Sequence, residues 1–230
     1  MMDASPHTLT VPRTARWWTS TPPDGVALRG TLYVLHGYGQ LPAFFIRKFQ
    51  AQVNAGWRVV APEGAHRFYL KGTDGRVGAS WMTREARLDD IADQMRFLDA
   101  LRAQLDAEPD AGSGAGLRVL LGFSQGASTA LRWAALGQGG ADSWDGLIAH
   151  SGVIPPDLKA LDGDLSGGPA LDVLVGTDDP YIQDPASRFR TAEEAWAEAG
   201  GDPDRIRLHT FEGVHDVDAD TVTRVLDAIG

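Results

Sequence analysis

A serine, a histidine and a carboxylate held in a row can attack an acyl carbonyl, and this chain has all three in positions where such a row could form. Ser124 is the centre of Gly122-Phe123-Ser124-Gln125-Gly126. An apolar run over residues 117–121 enters this pentapeptide and an Ala-rich stretch leaves it, so the chain reads as strand, sharp turn, helix. In so tight a turn the central serine takes a strained backbone conformation, and the residues two before and two after it must be nearly free of side chain. Gly122 and Gly126 meet that demand. The pentapeptide alone is weak in a chain with 27 glycines; the strand before it and the helix after it give it weight.

A serine hydroxyl is a poor nucleophile until an imidazole takes its proton, and the imidazole needs a carboxylate to fix its tautomer. His215, in Glu212-Gly213-Val214-His215-Asp216, follows the last strand-like run and precedes the last helix-like one. Its rivals are His150, at the end of a strand-like run, and His209, inside one. The order Ser, Asp, His along the chain favours His215. Gly176-Thr177-Asp178-Asp179-Pro180 offers two adjacent acids; spacing favours Asp179, with Asp178 as the alternative and otherwise a turn or capping residue. Two backbone donors are needed for the oxyanion: the amide of Gln125 at the start of its helix, and that of Tyr38 in His36-Gly37-Tyr38-Gly39-Gln40. His36 itself reads as a structural hydrogen-bonder.

The elements that must position these residues alternate. Extended pieces are expected over residues 7–11 and 13–20, then a buried strand over 31–35. A helix over 43–55 is stopped by Gly56, and a strand follows over 57–61. A long amphipathic helix is expected over 83–105, with Leu88, Ile91, Met95, Leu98 and Leu101 or Leu105 along one stripe, then a Gly/Ala/Pro-rich connector over 107–116. Strands return over 117–121, 146–150, 170–175 and 205–211, with helices from Gln125, over 185–199 and over 218–229. Such alternation predicts an α/β fold: a mostly parallel central sheet with helices on both faces. His36, Ser124, Asp179 and His215 all fall just past carboxyl ends of strands, where ligands bind in open sheets of this kind.

Composition narrows the function. The chain has 230 residues, the size of a single α/β domain over 1–230. Its formal net charge of -10 argues against nucleic acid or an anionic membrane as partner. With no cysteine, disulfides, thiolate metal sites and a cysteine nucleophile are excluded. The first residues have neither the basic start nor the apolar core of a signal peptide, and no apolar run has membrane-spanning length, so the expected location is cytoplasmic. Asp216, Asp218 and Asp220 alternate as calcium ligands can, but the glycine and terminal glutamate of a calcium loop are missing, and acids favour a helix start in any case. No histidine pair has zinc spacing and no glycine loop is built to cradle phosphate, so no metal and no cofactor is expected.

Four blocks, Leu35-His36-Gly37-Tyr38-Gly39, Gly122-Phe123-Ser124-Gln125-Gly126, Gly176-Thr177-Asp178-Asp179-Pro180 and Gly213-Val214-His215, resemble those of the phospholipase/carboxylesterase branch of the α/β-hydrolases, which includes carboxylesterases and acyl-protein thioesterases. The resemblance runs in order roughly from residue 31 to the end, and the glutamine after the serine is a specific point in its favour. It implies the α/β-hydrolase fold and a cofactor-free Ser124-Asp179-His215 hydrolase of short to medium acyl esters, with acyl-protein thioesterase or lysophospholipase as alternatives. The substrate would be a small acyl ester or thioester and the protein a monomer or homodimer.

The stretch 62–82, richer in Arg and aromatics than the thioesterases, is similar to a bacterial subgroup of serine esterases. There Phe68, Tyr69 and Trp81 could line an acyl pocket and Arg67 or Arg76 could meet a carboxylate; core packing is the equal alternative. Residues 151–169, where a lid would sit, are too few for a large cap domain. A reading of another class is a non-catalytic ligand-binding protein on the same scaffold.

Overall fold

The computed structural model describes residues 4–108, 116–182 and 184–230. In chain order its elements are β1 (Trp17–Ser20), β2 (Gly30–Leu35), α1 (Pro42–Phe45), α2 (Gln50–Asn54), β3 (Trp57–Pro62), β4 (His66–Lys71), β5 (Asp74–Ser80), α3 (Arg87–Asp106), β6 (Leu117–Phe123), α4 (Gln125–Leu136), β7 (Gly146–His150), β8 (Leu171–Gly176), α5 (Pro185–Glu198), β9 (Ile206–Phe211) and α6 (Ala219–Ile229). Seven strands form one sheet in the order β1-β3-β2-β6-β7-β8-β9. Only β1 runs antiparallel.

Successive side chains of a strand point to opposite faces, and β2 shows why this sheet needs cover on both. Leu32 and Val34 pack with Phe45, Phe49, Val53, Val222 and Leu226 under α1, α2 and α6. Tyr33 and Leu35 pack with Leu98, Ala130, Trp133 and Trp196 under α3, α4 and α5. Tyr33 meets Trp133 and Trp144 edge-on, at ring separations of 5.4 and 5.6 Å, the arrangement that ring quadrupoles favour. The sheet is thereby clamped between two helical layers, and its carboxyl edge is free to carry the site.

Several boundaries differ from expectation. Residues 7–11 form no strand and lie exposed. The edge strand ends with Trp17 opposite Pro62 and one further bond from the Glu63 amide to the Arg16 carbonyl; beyond it β3 has turned away, so nothing offers the upstream residues a ladder. The helix expected over 43–55 is divided by a 3₁₀ turn, Ile46–Phe49, into α1 and α2, and Gly56, at φ 95°, ends it as expected. The long helix begins at Arg87, not Thr83, because Ala86 takes a left-handed conformation, φ 49°. Leu88 is consequently exposed, and the buried stripe is Ile91, Met95, Leu98, Leu101 and Leu105. Of the connector over 107–116, residues 109–115 lie outside the described residues.

Two further features bear on the site. β4 and β5 form a separate antiparallel hairpin where no strands were expected, and it is tied to the loop after β2 by an isolated bridge between Gln40 and Ala79. Between β7 and β8 the chain makes one 3₁₀ turn, Lys159–Leu161, and builds no cap. Among the described residues no helix is long and apolar enough to cross a membrane.

Candidate active site

The turn from β6 to α4 places Ser124 at φ 53°, ψ -116°, a backbone region costly for a residue with a side chain. The flanking glycines let it persist. A Cβ on Gly122 would lie 2.2 Å from the Gly126 carbonyl oxygen, and one on Gly126 would lie 2.2 Å from that of Leu35. The Ser124 amide donates to the His150 carbonyl at 2.9 Å, fixing the elbow to the end of β7.

His215 comes from the loop between β9 and α6, Asp179 from the loop after β8. His215 Nε2 stands 3.0 Å from Ser124 Oγ and its Nδ1 stands 2.7 Å from Asp179 Oδ2. The second Asp179 oxygen accepts the Tyr181 amide at 2.9 Å, so this buried carboxylate is held in one orientation. Phe123 and Tyr181 flank the imidazole, with ring centroids at 5.0 and 4.7 Å. Asp178 is exposed and its amide merely donates to Gly213. Asp216 grips Lys48 at 2.6 Å. Burial opposes ionisation of Asp216, but the Lys48 and Val217 hydrogen bonds outweigh it and hold its carboxyl below the usual range.

The rival histidines have structural partners. His150 Nε2 accepts the Asp218 amide at 3.1 Å, and His209 Nε2 meets Asp172 at 2.7 Å. Burial pushes the His150 imidazole down to about 4, and it does the same to His36. The neutral His36 ring bridges two loops: Nδ1–H donates to the Gly37 carbonyl at 2.8 Å and Nε2 accepts the Gly64 amide at 3.0 Å.

The loop after β2 is fixed on three sides. The Gly37 amide donates to the Gln40 side chain at 2.9 Å, the Gly39 amide to the Ala79 carbonyl at 2.8 Å, and the Trp81 indole to the His36 carbonyl at 2.8 Å. The amides of Tyr38 and Gln125 have no hydrogen-bond partner among the described residues, which leaves both free to donate into the cleft that Tyr38, Gln125 and Ser124 share. The Gln125 side chain turns away and ties down the hairpin, accepting the Trp81 amide at 3.1 Å and donating to the Met82 carbonyl at 3.0 Å.

The cleft above Ser124 holds about 550 Å³. Of the three aromatics expected to form an acyl pocket, none is on its wall. Trp81 is fully buried behind His36, its ring stacked at 5.0 Å. Phe68 packs on Tyr38 at 5.0 Å and reaches the cleft only through it, while Tyr69 is exposed on the hairpin. The reason is topological: hairpin formation turns β4 outward and carries its aromatics over the loop, not under it. Arg67 pairs with Glu63, and Arg76 borders a different cavity beside Phe44 and Lys48. The wall is made instead by residues not singled out from sequence, among them Gln40, Ser128, Val153, Tyr181 and Arg188. They sit on five different loops and helices, and no local motif marks them. Among the described residues no cluster of His, Asp or Glu could hold a metal ion; Asp218 caps α6 by accepting the Thr221 amide.

The phospholipase/carboxylesterase family model matches residues 24–229. The chain belongs to that family. Solved structures share its fold. Esterase PE8 is 25% identical, with 95% of this chain and 100% of that one covered at a TM-score of 0.68. Acyl-protein thioesterase 2 of Zea mays is 17% identical, with 94% and 100% covered at 0.65. The carboxylesterase of Bacillus cereus is 15% identical, with 94% and 93% covered at 0.61. Among proteins of curated function no sequence match is found. The family is one of esterase-type hydrolases, and this member has the α/β-hydrolase fold without a large cap.

Proposed function

We propose that the protein is a carboxylesterase-type serine hydrolase that cleaves short to medium acyl esters through an acyl-enzyme. The observation that carries this reading is the unbroken row from Ser124 Oγ through His215 to the buried Asp179, at 3.0 and 2.7 Å. Ser124 Oγ attacks the acyl carbonyl carbon while His215 Nε2 takes its proton. Asp179 keeps the Nδ1 proton in place and stabilises the imidazolium. The developing oxyanion is met by the amides of Tyr38 and Gln125, a type of contact in which one donor is typically worth about 10² to 10³ in rate. Collapse breaks the carbonyl carbon to oxygen bond of the ester, and His215 returns the proton to the departing alcohol. A water that His215 deprotonates then frees the acid and restores Ser124.

The open cleft and the absence of a cap favour small substrates that approach from solvent over a lipid surface. A fluorophosphonate probe tests the nucleophile: stoichiometric labelling at Ser124, lost in Ser124→Ala, is expected. Folded protein that leaves the probe untouched would instead support a ligand-binding role for the same scaffold.

A further inference from the structure

The cleft wall carries a charge that the hydrolytic row does not use. Among the residues lining it, Arg188 alone has a permanent charge, and no Asp or Glu is on the wall, although the chain as a whole has net charge -10. Arg188 lies in the first half of α5, half-buried, and its side chain has no carboxylate partner among the described residues. Its neighbours in the wall fix which part of a substrate it faces. Tyr181 borders both the catalytic cleft and the adjoining depression that Arg188 also lines, and its ring stands 4.7 Å from that of His215.

In the mechanism above, His215 Nε2 hands its proton to the departing oxygen, so the leaving group must lie on the His215 side of the reacting carbonyl. Arg188 shares both the cleft and the depression with Tyr181, the residue whose ring lies against His215. Resting on the hydrolase reading, we propose that Arg188 is a specificity residue that recognises an anionic group, a carboxylate or a phosphate, on the alcohol portion of the substrate. A guanidinium offers paired N–H donors matched to either oxyanion; no acid is on the cleft wall, and the one acid of the adjoining depression, Asp184, is engaged with the Ala186 amide as the cap of α5.

The test uses the butanoyl esters of para-hydroxybenzoate and of para-hydroxyphenyl phosphate, with the neutral butanoyl ester of para-hydroxybenzamide as reference. kcat/KM is measured for wild type, Arg188→Gln and Arg188→Glu. The anionic-to-neutral ratio is expected to fall about tenfold in Arg188→Gln, which corresponds to about 1.4 kcal/mol, carried mainly by KM, and further in Arg188→Glu. A fall confined to the carboxylate or to the phosphate ester identifies the anion. A second pair, the para-nitrophenyl esters of succinate and butyrate, moves the charge to the acyl side, and there the ratio should stay put.

An anionic-to-neutral ratio that is the same in all three proteins would overturn the proposal, as would an equal fall for charge on the acyl side. In both cases the neutral ester is still turned over and the hydrolase reading stands. Failure of wild type to turn over any of these esters would remove both.

Discussion

The Gln125 side chain accepts the Trp81 amide at 3.1 Å while its own backbone amide faces the cleft. The residue proposed to give one oxyanion donor thus locks the end of the β4–β5 hairpin, and the hairpin in turn holds the loop proposed to give the other. On the proposed mechanism the two oxyanion donors are joined through a side chain whose polar atoms are bound to the hairpin.

Gln125→Leu separates these roles, because it keeps the amide and removes the clamp. The buried Trp81 amide is then left without a partner, at a cost of about 1–3 kcal/mol, while the Met82 carbonyl keeps the Ser80 hydroxyl at 3.0 Å. Thermal unfolding should come several degrees lower, and kcat for a para-nitrophenyl ester should fall roughly tenfold as the loop loses its register. A variant with wild-type kcat would show that the hairpin does not position the oxyanion loop.

Asp179→Asn and Asp178→Asn discriminate between the two neighbouring acids. Loss of the carboxylate that holds His215 Nδ1 at 2.7 Å should lower kcat by about 10⁴. The exposed Asp178 should tolerate the change with activity within about twofold of wild type, as surface substitutions commonly do. The reverse pattern in a steady-state assay would reassign the acid.

Gly78→Ala acts at a distance from the serine. A Cβ there would stand 2.3 Å from the Gly39 carbonyl oxygen, closer than atoms can approach, so the hairpin and the loop must part. The expected result is a loss of roughly 10² in kcat from misplacement of the Tyr38 amide, with Ser124 still labelled by the fluorophosphonate probe. Loss of labelling together with folding would point to a structural role alone.

His36 and His150 predict how stability depends on pH. Burial lowers both from the ordinary imidazole value of 6.5 to about 4, so between those values the unfolded chain binds more protons than the folded one. Stability is therefore complete above about 6.5 and is lost as pH falls toward about 4, by roughly 3 kcal/mol for each histidine over the whole window. Protonation would also set a ring N–H against the Gly64 and Asp218 amides that Nε2 now accepts. Urea midpoints should drop between about pH 7 and about pH 5; a constant midpoint would contradict the neutral, buried assignment.

The elbow was legible in sequence because its geometry depends on residue types within five positions: only glycine fits at 122 and 126, and apolar runs mark the strand before it and the helix after it. The positions of Asp179 and His215 were legible for a related reason, each following a short strand, β8 buried throughout and β9 at the sheet edge. The hairpin was not, although its two-residue turn, Gly72-Thr73 between Lys71 and Asp74, opens on a glycine at positive φ, because its strands pair with each other outside the main sheet and lack its continuous apolar run. The cleft wall was least accessible. Tyr181, Val153 and Arg188 meet only through the arrangement of β7, β8 and α5, whereas Phe68 and Trp81, attractive by composition, serve packing.

The measurement that bears most directly on the central claim is hydrolysis of para-nitrophenyl acyl esters from two to twelve carbons by wild type and Ser124→Ala side by side. Turnover by wild type with an optimum at short to medium chains, reduced at least about 10³-fold in the variant, is the predicted result. Equal rates in the two proteins, or no turnover by either, would contradict the assignment of Ser124 as the nucleophile of an esterase.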